Sequence, residues 1–298
     1  MISGDGAVTT ALALVAACFI GAGFVAQQHV AYREPLAEML HVRLLTHLVR
    51  RPVWLLGIAA MVCGQVLSAA ALDESDLGRV EPLLATNLIF AFVIAHLVYK
   101  EWLSRAVWWG AVLVTGGVAS FLTFGRPHGG QPAGPESPRW LAAGAVMALA
   151  AVLVLAAAPC SLRTKAILFS AAAGMMFGVQ DALTRGTLLA RGGGLGSVMW
   201  NWQPYALVVI AVLSLLLAQS AFDAAPIAIS LPAITAAEPV IGIVLGVFVF
   251  AERLQITAGA LAAEVAGLIM IVVGITVLGR SPYPGKPEPV ASGGDGPS

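Results

Sequence analysis

The sequence predicts an all-α, polytopic transmembrane bundle of nine to ten spans arranged as two inverted repeats. Three observations carry that prediction. First, the 298 residues are 59% hydrophobic and 11% charged, with a mean hydropathy of +0.88, whereas a soluble domain carries about 25% charged residues. Second, apolar blocks recur from Thr9 to Gly279, each near the ~20 residues that cross ~30 Å of hydrocarbon. Third, a long block of the first half returns in the second. Together they exclude a soluble enzyme, a nucleic-acid binder and a secreted disulfide scaffold, and they make the lipid bilayer the partner of most of the surface. Sixteen basic and sixteen acidic residues cancel, so net charge says little about other partners.

The spans follow in order at 8–31, 53–72, 76–99, 106–124, 139–158, 164–190, 198–220, 225–250 and 257–279. No Lys or Arg precedes Arg33, so the first block lacks the basic start of a signal peptide and reads as a retained helix. The segment Arg33–Arg51 has no clean apolar face; it is either an interfacial helix or a short tenth span carrying Arg43. Residues 1–124 form the first repeat. Gly125–Pro138 holds four prolines and four glycines and reads as a linker between halves. Residues 139–280 form the second repeat with one additional leading span, and 281–298, rich in Pro, Gly and Ser, form a disordered tail. All seven tryptophans (54, 102, 108, 109, 140, 200 and 202) lie near span ends, as interfacial anchors do. Cys18, Cys63 and Cys160 form no CxxC and read as small buried residues. The loops at 33–52, 100–105, 159–165 and 221–224, with the tail and Arg280 just before it, hold ten of the sixteen Lys and Arg. The positive-inside rule therefore puts them, and the C-terminus, in the cytoplasm of a plasma-membrane protein.

The repeat is the most informative feature. ALDESDLGRVEPLLATNLIFAFVIAHLVYKEWL (71–103) matches AFDAAPIAISLPAITAAEPVIGIVLGVFVFAERL (221–254). Asp73 pairs with Asp223, Pro82 with Pro232 and, across one gap, Glu101 with Glu252; Gly116 then pairs with Gly267. Upstream, GAGFVAQQHV (21–30) pairs with GMMFGVQDAL (174–183), which sets Gln27 against Gln180 and Gln28 against Asp181. Five spans separate the copies, and an odd offset inverts their orientation. Inverted repeats are a common construction of secondary transporters, with the site near the midplane between them.

These residues, the twofold "P…E…G" layout and a tryptophan before each copy (Trp54, Trp200) resemble the drug/metabolite transporter (DMT) superfamily over nearly the whole chain. FIGAGF (19–24) and the stretch Trp54–Val66 are similar to the NIPA-type branch, which the resemblance associates with magnesium. Where that branch has an acidic residue in the second span, this chain has Gln65, and Gln27, Gln28 and His29 stand where it has lysines. EamA-type metabolite exporters share the doubled layout. The resemblance implies a secondary-active transporter working by alternating access, with proton-coupled metabolite export as one expectation and magnesium transport as the other. A membrane scaffold of the same fold is the third reading.

Polar residues inside spans cost about 2.5–3.5 kcal/mol on insertion scales when ionisable, and so mark sites. Glu238 lies about 18 Å from each end of its span at 1.5 Å per residue. Pro239 follows it and biases the backbone away from helix, so a broken helix is expected at mid-depth. Asn87 aligns close to Glu238. Asp181 has Arg185 at i+4, which suits an intrahelical pair. Gln27, Gln28, Gln65 and Gln180 complete the candidate substrate set, with Glu238 and Asp181 as the metal ligands if magnesium is the cargo. His29 and, beside two tryptophans, Asn201 and Gln203 read as interfacial; Glu81 and Glu101 read as solvated, and Glu264 as a partner for a basic loop. The pairs Gly21/Gly23, Gly174/Gly178 and Gly242/Gly246 read as close-packing seams. No Walker A, HExxH or GxSxG is present, so neither enzyme chemistry nor direct ATP drive is expected. No cofactor is expected beyond a proton or Mg2+ as coupling or transported ion. A small solute or ion is the partner, nucleic acid is not, and a homodimer stays open.

Overall fold

The computed structural model describes residues 4–74, 77–125, 139–190, 200–252 and 257–281. The predicted linker beyond Gly125 and the tail beyond Ser281 lie outside the described residues. Eleven α-helices are described: α1 Gly4–Ala31, α2 Val42–Leu48, α3 Pro52–Glu74, α4 Leu77–Leu84, α5 Asn87–Val98, α6 Arg105–Gly125, α7 Leu141–Ala157, α8 Leu162–Ala190, α9 Gln203–Ala224, α10 Ile227–Phe250 and α11 Ala258–Gly279. No strand occurs among the described residues. Seven helices are long and apolar enough to cross a membrane, and two shorter apolar stretches, Pro82–Val98 and Leu141–Ala157, fall on the remaining two expected spans.

Segment 33–51 is not a tenth span. It folds as a 3-10 turn at Leu36–Glu38 followed by α2, and seven residues rise only about 10 Å. Leu40 between them has φ 62°, a turn that reverses the chain. This strap leaves the first half and packs on the second. Met39 packs against Ala157, Phe169 and Ala221 on one side and Ala166, Ala225 and Ile229 on the other. The Leu40 N–H donates to Ser220 Oγ at 2.9 Å. Leu44 and Leu48 are fully buried in the main core, and the polar side is tied by Arg51–Glu34 (3.3 Å), His47–Glu38 (2.9 Å) and Arg43–Glu38 (3.5 Å).

These contacts define one end of the bundle, the Arg51 end. It also holds Trp54 beside Gln219, His29 stacked on Tyr99 at 3.9 Å, and Arg163 donating to Ser281 O. Loops grouped by charge in the sequence therefore share this end. The opposite, Glu252 end gathers Ala13 with Ala71 and Val80, Arg139 with the Val249 carbonyl, and Trp140 against Trp202 and Phe250.

Glycine sets the helix spacing. A methyl on Gly21 would come within 2.6 Å of Asn87 O, and one on Gly174 within 2.6 Å of Ile234 O. Two packed pairs result, α1 with α5 and α8 with α10. The Gly242/Gly246 seam does not form: Gly242 faces open space, and Gly246 makes room for the Glu252 carboxylate.

The expected break at Glu238–Pro239 is absent. Helix α10 runs through both Pro232 and Pro239, and the helix continues on either side of each proline, as spans packed among neighbouring helices allow. The interruption falls in the other copy, at Ala85–Thr86, where α4 ends and α5 begins. Thr86 N–H and Oγ1 both donate to Leu83 O there.

Both α5 and α10 end alike. Lys100 (φ 55°) and Ala251 (φ 54°) are left-handed, and the following glutamate N–H donates back to a helix carbonyl, Glu101 to Ala95 and Glu252 to Gly246, each at 3.1 Å. This is a closure one residue wider than the six-to-one bond of a Schellman cap, turned on a left-handed residue that is not glycine. Glu101 is half-buried rather than solvated, and burial pushes its carboxyl above the usual range. The folded state thus holds a proton that the unfolded chain has already released, so stability falls as pH rises from the usual range through the raised value. Glu101→Gln is expected to raise Tm at pH 7, with the gap over wild type closing near about pH 4, where both carry a neutral side chain. A gap that widens on acidification would refute this.

Candidate functional site

A buried polar network joins three helices at the Arg51 end. Gln27 of α1 is 2% exposed and Gln219 of α9 is 0% exposed. Gln219 Nε2 donates to Gln27 Oε1 at 2.6 Å, Trp54 Nε1 of α3 donates to Gln219 Oε1 at 3.1 Å, and Gln27 Nε2 reaches Met61 Sδ at 2.7 Å. Gln180, the repeat counterpart of Gln27, accepts from Ser214 Oγ of the same α9 at 3.1 Å. Each half therefore uses the matched glutamine of its glycine-rich helix for an inter-helix bond, and both bonds land on α9.

The other sequence candidates divide. Gln28 is buried beside Gln27, and Gln65 is exposed on the outer face of α3, away from the network. Glu238 is half-buried on α10, and Asp181 is exposed on the surface of α8. Arg185 does not pair with Asp181. It bonds Glu252 across from α8 to the end of α10, and its guanidinium lies 4.5 Å from the Phe250 ring. The long-range partner wins because the left-handed turn at Ala251 swings Glu252 back over Gly246. Gln203 is buried at the first turn of α9, and the Glu264 carboxylate lies close to Gly125 at the end of α6.

Among the described residues, the buried side-chain oxygens without a hydrogen-bond partner include three inside helices of the bundle, Asn87 Oδ1, Thr115 Oγ1 and Ser170 Oγ. Buried polar atoms are normally satisfied, so each points to a missing ligand or water. Their depths agree. Asn87 is eleven residues from the end of α5, Thr115 ten from the start of α6 and Ser170 eight from the start of α8, all measured from the Arg51 end. At 1.5 Å per residue that is about 12–17 Å, and Glu238, eleven residues into α10, lies at the same level. Half of a ~30 Å bilayer core is about 15 Å.

Sequence reasoning missed Gln219, Ser220 and Asp223, all 0% exposed. Their polar run in the last turns of α9 was the available signal, but the expected span stopped at residue 220 and left Asp223 in a loop. The one close grouping of three carboxylate or imidazole ligands among the described residues is Glu34, Glu38 and His47, within 4.8 Å of one another. Arg43 and Arg51 already pair with its carboxylates.

Residues 47–123 match the EamA-like transporter family, a stretch that contains the interrupted span and Asn87. An uncharacterised protein of Corynebacterium glutamicum is 29% identical over 271 residues, covering 90% of this chain and 93% of its own length. A probable 4-amino-4-deoxy-L-arabinose-phosphoundecaprenol flippase subunit, ArnE, of Pseudomonas fluorescens is 35% identical over 69 residues, covering 23% of this chain and 60% of its own length. No solved structure matches. The chain is thus a helical membrane protein in which residues 47–123 are similar to the EamA-like transporter family and a shorter stretch is similar to the flippase subunit ArnE, in line with the resemblance drawn from its sequence.

Proposed function

We propose that the protein is a secondary-active transporter that moves a small solute across the bilayer by alternating access between its two halves. The observation that carries this is the set of unpartnered oxygens at one depth, on α5, α6 and α8, level with Glu238. Mid-depth chambers beside interrupted helices are where transporters hold cargo. The matched caps of α5 and α10 and the matched glutamines support two copies of one unit, laid in opposite senses by their odd offset. The family match and the flippase subunit's printed name support movement of a solute rather than catalysis. Glu238 and Asp181 are the proposed seats of a coupling proton, and the charge bias puts the Arg51 end in the cytoplasm.

The test is electrogenic transport on a solid-supported membrane with purified protein in proteoliposomes, across a panel of amines, amino acids, sugars and MgCl2, with and without a pH gradient. A hydrogen bond to a charged group is worth about 1.5–3 kcal/mol, so Glu238→Gln is expected to cut the substrate-dependent current about tenfold or more. A wild-type current untouched by Glu238→Gln would remove Glu238 from the site. A current with MgCl2 alone would turn the reading to a divalent cation.

A further inference from the structure

One face of α1 lacks the helix that covers the matching face of α8. We infer that a second copy of this chain docks there, so that two α1 helices meet in parallel about a two-fold axis along the membrane normal.

Paired positions of α1 and α8 meet paired neighbours, with one exception. Gly21 faces the Asn87 carbonyl of α5, and its counterpart Gly174 faces the Ile234 carbonyl of α10. Gln27 reaches Met61 of α3, and its counterpart Gln180 bonds Ser214 of α9. The third face differs. On α8, Ala172, Met175 and Val179 are buried in one cluster with Ala143, Val146 and Ala150 of α7. Their counterparts on α1 are Phe19, Ala22 and Ala26, and no helix among the described residues covers that line. Phe19 is 41% exposed where Ala172 is 0% exposed. The open line continues toward the Glu252 end through Val15, Leu12 and Val8, of which Val15 and Val8 are exposed and Leu12 is half-buried.

The spacing of this line says what fits it. Positions 8, 12, 15, 19, 22 and 26 advance by alternate steps of four and three, the heptad rhythm of two helices packed knobs-into-holes. At 100° per residue all six fall within an arc of about 80°, and from Val8 to Ala26 the helix rises about 27 Å, most of the ~30 Å apolar layer. Lipid chains ask for no such rhythm, whereas a helix crossing at about 20° does.

The chemistry of the line then favours a second copy. A two-fold axis sets each residue against itself, which a charged line would forbid by repulsion; these six are all apolar. Ala22 and Ala26 let two backbones approach closely, as small residues do in membranes. Helix α7 covers α8 with Ala143, Val146 and Ala150, and α1 offers its own copy the same small and β-branched surface. The residues after Gly279 are rich in Pro and Gly and contain no apolar run that could fill the face from within this chain.

This inference does not depend on the transport reading, and its test needs no substrate. In a background lacking Cys18, Cys63 and Cys160, each of Val8→Cys, Leu12→Cys, Val15→Cys, Phe19→Cys, Ala22→Cys and Ala26→Cys is oxidised with copper phenanthroline in native membranes. Leu14→Cys, about a third of a turn away on α1, serves as a control. Leu149→Cys on α7 and Val272→Cys on α11, both at exposed positions, serve as controls on other outer faces. Dimer bands are expected along the heptad line and absent from the three controls. Purified wild-type protein, diluted in phosphatidylethanolamine and phosphatidylglycerol vesicles, should bleach in two steps in single-molecule counting. Val15→Trp adds bulk that the open face of a monomer accommodates and the seam does not, so it should bleach in one step with its Tm unchanged. The cysteine series and the wild-type count stand even if that variant fails to fold. One-step bleaching of wild type, no bands along the line, bands as strong in Leu14→Cys as on the line, or bands confined to α7 or α11 would each overturn the proposal.

Discussion

Joining the strap to α9 is expected to stop transport outright and reversibly. Leu40 N lies 2.9 Å from Ser220 Oγ, so the two Cα atoms fall within the roughly 4.4–6.8 Å that a disulfide spans. Leu40→Cys with Ser220→Cys, in the background without Cys18, Cys63 and Cys160, should oxidise readily. The strap leaves the first half and packs on α8, α9 and α10 of the second, so any opening at the Arg51 end must lift it. Two fully buried leucines, Leu44 and Leu48, hold it by about 1.5–3 kcal/mol each. The exposed arginine of the Arg51–Glu34 pair adds little. That is a closure a cargo or proton can undo, whereas a covalent bond is not. Current should fall to background on oxidation and return on reduction. Full current from protein that is cross-linked by gel mobility would show that the strap does not move.

Gln219→Leu is expected to be the most destabilising single change. It leaves Gln27 Oε1 and the Trp54 Nε1–H buried without partners. Inter-helix hydrogen bonds in membranes are worth about 0.6–2 kcal/mol each, so losing two costs roughly 1–4 kcal/mol. Gln27→Leu should cost less, because the Trp54 bond survives. The double change Gln27→Leu, Gln219→Leu should fall short of the sum of the singles, since both remove one shared bond. Tm in a single detergent, read by intrinsic tryptophan fluorescence, checks all three. Strict additivity would mean that the network carries no coupling.

What the sequence disclosed depended on which physics wrote it. Span positions were legible, because a ~30 Å apolar layer imposes block lengths that hydropathy reads directly. The aligned pair Glu101 and Glu252 shares a local structure, since both follow a left-handed residue and donate back into the preceding helix. Local rules misled where tertiary partners competed. Pro239 suggested a break, yet α10 continues through it while packed along α8, and the interruption lies at Ala85–Thr86 instead. The i+4 spacing of Asp181 and Arg185 suggested a pair, yet a turn 66 residues beyond Arg185 delivers Glu252 to that arginine. A span end placed four residues early concealed Asp223. Gln65 shows the opposite error, since polarity inside a span does not say which way the helix faces, and Gln65 faces out.

The central claim is that one mid-depth chamber is reached from either end in turn. Gly242→Cys tests it most directly, because a side chain there meets nothing within 4 Å. Oriented vesicles carrying Gly242→Cys with the Leu40–Ser220 cysteine pair would be oxidised or left reduced, and the label would be counted at position 242 alone by peptide mass spectrometry. Each sample is then exposed to a membrane-impermeant maleimide from one side at a time. The account predicts labelling from both sides in the reduced protein and from the Glu252 side alone once the strap is locked. Labelling from a single side whatever the state of the strap, or from neither side, would contradict it.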